Sequence, residues 1–93
     1  MSDFERWSKW FACGRELGRD KKDALALMAW IAAHAASDGT GIELDEHSWS
    51  SLAEETGLTV DQGRQAFDTL VAHGLVTAVG QETPERLLAR AVI

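Results

Sequence analysis

The sequence predicts a mainly α-helical domain that closes with a small β-hairpin and opens with one additional amphipathic helix. Three observations predict it: an aromatic stripe at helical spacing ahead of residue 18, a nearly unbroken apolar run from Ala24 to Ser37, and short alternating runs flanking a Gly- and Pro-containing segment at 80–85. Ninety-three residues make one hydrophobic core, near the lower limit of what stands without disulfide or metal staples. Four tryptophans and three phenylalanines enlarge that core, because each buried aromatic removes a large apolar area from water.

The first element runs from Asp3 to about Leu17. Phe4, Trp7, Trp10, Phe11 and Leu17 share one arc of a helical wheel, with Arg6 and Lys9 on the other side. Ser2 or Asp3 supplies an N-cap, and Gly14 and Gly18 weaken the far end, so the helix is expected to stop near Gly18. The aromatic face serves either to dock the helix on its own domain or as a dimer or partner surface built from Phe4, Trp7, Trp10 and Phe11. The second helix is expected from about Asp20 to Ser37, with Asp20 and Asp23 favouring its N-terminal dipole. Its apolar residues leave almost no polar face after Asp23, which marks a central, buried helix, and His34 within that run reads as a hydrogen-bonded core histidine.

Ser37-Asp38-Gly39-Thr40-Gly41 is a turn by composition, and Ile42-Glu43-Leu44 alternates like a short strand. Asp45 or Ser48 caps a third helix that turns Trp49, Leu52 and Ala53 inward and ends at Gly57. A fourth runs from about Thr59 to His73 with Val60, Phe67, Leu70 and Val71 buried, closed by Gly74. Leu75 to Val79 reads as a strand, residues 80–85 as a loop, and Arg86 to Val92 as the returning strand.

Charge is unevenly placed. The net −6 divides into six bases against four acids over residues 1–22 (+2), and three bases (Arg64, Arg86, Arg90) against eleven acids over 23–93 (−8). Any function of the second part operates in a negative field. The single cysteine, Cys13, permits no internal disulfide, suits a reducing compartment and is expected to fill core space. Charged residues directly follow Met1, and no apolar stretch reaches the roughly 20 residues of a bilayer span, so a soluble cytoplasmic protein is expected. There is no cysteine pair, no histidine pair at metal-ligand spacing, no nucleophile elbow and no phosphate-binding glycine loop. The adjacent acids Asp45-Glu46 and Glu54-Glu55 diverge on a helix instead of sharing a site. Neither an enzyme nor a metal or other cofactor is expected.

The order helix, helix, short strand, helix, turn, helix, strand, loop, strand resembles the winged helix-turn-helix family. The likeness is carried by Leu52-Ala53-Glu54-Glu55-Thr56-Gly57-Leu58-Thr59 and the helix closing on Leu70-Val71-Ala72-His73-Gly74-Leu75-Val76. Residues 24–43 look like the phage and plasmid replication-initiator and regulator forms of the fold. The resemblance implies a helix at residues 1–19 attached to a winged helix-turn-helix domain at 20–93. In that family a small residue such as Ala53 lets two helices cross closely, Gly57 takes the turn, and Thr59 caps the recognition helix. Carried over position by position, the resemblance implies duplex DNA as partner, with Thr59, Gln62, Arg64 and Gln65 on the recognition helix and Arg86 on the wing. Positive charge would be drawn from Arg15, Arg19, Lys21 and Lys22, and a homodimer would form through the N-terminal helix.

Two features depart from the family's pattern. Gly63 stands where the family usually has Val or Ile, so either the motif is imperfect or the two helices pack unusually close. The outward face of the recognition helix has only one base, Arg64, among Asp61 and Asp68, with Glu54 and Glu55 on the preceding helix and Glu82 and Glu85 in the wing loop. Phosphate neutralisation supplies most non-specific affinity, and these acids oppose it. The same acids, Glu54, Glu55, Asp61 and Asp68, suit a different class of function: a protein-interaction module that occupies the nucleic-acid channel of a basic partner. In size and charge the chain resembles small acidic DNA-mimic proteins of phages and mobile elements, some anti-CRISPR inhibitors among them.

Overall fold

The computed structural model describes residues 3–17, 21–83 and 86–93. It contains α1 (Asp3–Gly14), α2 (Lys21–His34), β1 (Ile42–Leu44), α3 (Glu46–Thr56), α4 (Val60–Ala72), β2 (Val76–Thr83) and β3 (Arg86–Ala91). The architecture is mainly helical with one small antiparallel sheet, ordered β1-β3-β2. The strand that is last in the chain is therefore the middle one. It pairs Ile42 with Ala89 on one side and Val76 with Ala91 on the other.

Local chemistry sets the element ends. Asp45 caps α3 by accepting the Ser48 amide at 2.8 Å, and Gly57 ends that helix in the left-handed region at φ 77°. Thr59 and Gln62 close α4 with a reciprocal capping box: the Thr59 hydroxyl accepts the Gln62 amide at 3.0 Å, and the Gln62 side-chain oxygen accepts the Thr59 amide at 2.9 Å. Gly74 follows α4 at φ 73°, again a backbone conformation that a Cβ disfavours.

The core is one cluster. α2 lies at its centre, packed against α1, α3 and α4, and contributes Ala24, Leu27, Met28, Trp30 and Ile31. Ile42 and Leu44 of β1 and Ala89 and Ala91 of β3 face it from the sheet, while Leu52, Ala66, Phe67 and Leu70 face it from α3 and α4. Helix α1 joins the same cluster: Trp10 is 2% exposed and its indole N–H donates to the Leu75 carbonyl at 2.7 Å. Trp7 donates to the Ser37 carbonyl at 3.1 Å. Trp7, Trp10 and Phe11 form a chain of edge-to-face contacts at 5.2 and 5.3 Å.

Several expectations are corrected. Helix α1 ends at Gly14, four residues early, because the backbone turns at Arg15 and Glu16 to bring Leu17 back into the core. Gly14 also sits where a Cβ would fall 2.4 Å from the Met28 sulfur, so α1 crosses α2 at that point. Cys13 is exposed, not a core filler, because the 3.6-residue period carries it off the Trp7–Trp10–Phe11–Gly14 face. Phe4, a turn beyond Trp7, is 80% exposed. Helix α2 ends at His34 and is not buried all round: Ala29, Ala33 and His34 face solvent. Val71 is 41% exposed, beside a buried stripe made by Gly63, Ala66, Phe67 and Leu70. The expected loop at 80–85 is largely strand. β2 continues to Thr83 with register shifts at Val79 and Glu82, and Gly80 is absorbed at the first of these bulges. The Ser2 cap, the Gly18 stop, Arg19, Asp20 and the Pro84–Glu85 tip lie outside the described residues.

Candidate functional site

Helix α4 exposes Asp61, Gln62, Arg64, Gln65 and Asp68 along one side while burying Gly63, Ala66, Phe67 and Leu70 on the other. This face borders α3 on one flank and the first turn of α2 on the other. A shallow depression lined by Asp23, Gln62, Gln65, Ala66 and Thr69 marks the second border. Lys22, the residue before Asp23 on α2, is exposed. Asp23 at this border was not singled out from the sequence as anything but a dipole partner of its own helix. No pattern in the chain reports that two helices so far apart in sequence meet at this place.

Of the residues expected to read DNA, three besides Gln65 are on α4 or its cap, and each has an internal partner. Thr59 and Gln62 serve the capping box, which takes up the Gln62 side-chain oxygen. The Arg64 guanidinium carbon lies over the Trp49 ring, 5.6 Å from its centroid. Gln65 is exposed, and its backbone carbonyl accepts from the Thr69 hydroxyl at 3.0 Å. Arg86 is brought to a different place: it pairs with Glu43 across β1 and β3. That ion pair is half-exposed and therefore worth less than about 1 kcal/mol, weak enough to yield to a competing anion.

The acids divide as well. Asp61, Asp68 and Glu54 are exposed. Glu55 faces away from α4's outer side, joined to His34 of α2 at 3.1 Å, where His34 also stacks on Trp30 at 4.3 Å between ring centroids. His34 is thus hydrogen-bonded as expected, but at the surface and not in the core: it stands in the last turn of α2, where the helix emerges beside α3. The aromatic residues of α1 do not form one exposed surface either. Trp7, Trp10 and Phe11 pack in cis, which leaves Phe4 as the one of the four that stands out from the domain.

Gly63 resolves the choice left by its sequence. A Cβ at this position would lie 3.0 Å from Leu52 Cδ2 and 3.9 Å from the Trp49 ring. Helices α3 and α4 are therefore in unusually close contact, and the missing side chain makes room for it. Among the described residues there is no group of three His, Cys, Asp or Glu side chains that could hold a metal ion, and no helix is long and apolar enough to cross a membrane.

Known proteins add no relative to this picture. No family model matches the chain, and no curated protein or solved structure does.

Proposed function

We propose that the chain is a winged helix-turn-helix DNA-binding domain of the regulator or replication-associated type, with α4 as the helix that enters the major groove. The observation that carries this reading is the outward face of α4. It is exposed over its length, it offers amide and guanidinium donors at Gln62, Gln65 and Arg64, and it stands on the second of two helices joined by a glycine turn. The β1-β3-β2 sheet and its β2–β3 hairpin supply the part that the family uses as a wing. Lys22, exposed in the first turn of α2, is a base outside α4 that could meet a phosphate.

The charge balance favours a second reading, an acidic module that occupies the nucleic-acid site of a basic protein. Asp61, Asp68 and Glu54 are all exposed, and the 23–93 region keeps its −8 balance.

One titration separates the two. The purified chain is mixed at micromolar concentration with a fluorescent random duplex, and anisotropy is followed across a salt series. Under the DNA-binding reading the duplex is retained at low salt and released as salt rises, because counterion return competes with each phosphate contact. No retention at the lowest salt would falsify that reading and transfer the assignment to the acidic module.

A further inference from the structure

Arg64 is the one base on α4, and two acids stand at ion-pairing distance along the helix: Asp61 three residues before it and Asp68 four residues after. Among the described residues it forms an ion pair with neither. Its guanidinium lies instead over the indole of Trp49, on the neighbouring helix. Trp49 is itself held in place. It sits in the first turn of α3, behind the Asp45 cap, and meets Phe67 of α4 edge-to-face at 5.9 Å and 90°. The glycine at position 63 lets α3 approach closely, since a Cβ there would stand 3.0 Å from Leu52 Cδ2, and the Trp49 ring lies one turn earlier on the same helix, 3.9 Å from that point.

We propose that Trp49 is a positioning residue that holds Arg64 ready to read guanine. A guanidinium held over an aromatic ring by the ring's quadrupole spends no N–H group on a hydrogen bond there and keeps its donors for another partner. Those donors form a rigid fork that matches the O6 and N7 acceptors of guanine in the major groove. A phosphate contact asks only for charge and needs no such platform. The inference rests on the DNA-binding reading of α4.

The test uses the full chain and a duplex pool randomised over one helical turn. The pool is enriched on the wild type, and each enriched guanine is then replaced by adenine in a single duplex. The wild type is expected to lose affinity on the order of tenfold at one guanine. Trp49→Leu should erase most of that discrimination, whereas Trp49→Phe, which keeps an aromatic face, should restore much of it. Net charge is the same in all three, so the salt slope should not change. In the free protein, ring-current shielding of the Arg64 Cδ protons should be present in the wild type and absent in Trp49→Leu. Arg64→Lys, at an exposed position, gives an answer that does not depend on how the tryptophan variants fold: the charge stays, the fork goes, and the guanine preference should go with it. A folded Trp49→Leu or an Arg64→Lys protein that keeps the preference overturns the inference. So does a pool that enriches with no required guanine. If no member of the pool is retained at low salt, it is the DNA-binding reading that falls.

Discussion

Asp45 stands at the join between β1 and α3, and its carboxylate does two jobs there through one neighbour. It accepts the Ser48 backbone amide, the larger effect, and the Ser48 hydroxyl, and together these hold its pKa below the ordinary value of 3.8. Asp38, at the turn before β1, is lowered in the same direction by the Thr40 hydroxyl and then the Thr40 amide. In both cases the folded state favours the charged form. Their contribution to stability is therefore complete above about pH 3.8 and is lost as pH falls through the lower folded-state values. Asp45→Ala should lower Tm at neutral pH, and the gap from wild type should close in acid. A gap that stayed constant down to pH 2 would mean that Asp45 acts through something other than its charge. Such caps were legible in the sequence, since Asp45 and Thr59 precede helical periods and each finds the amide that the spacing offers. The fate of Arg64 was not legible: two acids at helical spacing suggest an ion pair, and only the tertiary approach of α3 puts an indole there instead.

At the scale of elements, the α3–α4 crossing depends on an absence. Gly63 weakens α4 by roughly 1 kcal/mol of helix propensity against alanine, yet a larger residue has no room. Leu52, which would meet it at 3.0 Å, is fully buried in the core and would have to shift against its neighbours. Gly63→Val, which introduces the residue usual in the resembling family, should therefore destabilise the domain by about 1–3 kcal/mol in urea unfolding. A more stable variant would show that α3 and α4 slide apart at no cost. The periodicity of α1 and α4 was readable because charged residues mark their solvent sides. Helix α2 was harder. Its exposed positions Ala29 and Ala33 carry no polar atom, so nothing in the composition distinguishes them from the buried Ala24. The extent of β2 was misread for the opposite reason: Gly80 signals a loop, but the strand accommodates it through a bulge.

Over the whole molecule the dominant fact is the separation of charge. Under the DNA-binding reading the domain would meet a polyanion while itself carrying a net −6, and the acids nearest the proposed contact are Asp61 and Asp68. Replacing both with lysine removes two negative charges and adds two positive ones, a change of +4. Under the DNA-binding reading, affinity for a random duplex should rise and the logarithmic salt slope should steepen by about 1–2. Under the acidic-module reading, the same variant should release its basic partner. If neither assay moves, the outer side of α4 is not the working surface.

The sheet order has a consequence for how this chain is made. During synthesis β1 and β2 leave the ribosome before β3, and neither has a hydrogen-bonding neighbour until β3 arrives between them. Trp10 waits for a carbonyl 65 positions later, and the Ala91 amide finally closes onto Gly39 at 2.9 Å. The nascent chain therefore has helices to form early but no finished core until its last strand emerges. A stop codon just upstream of Arg86 would remove β3 and leave β1 and β2 with no strand to pair with.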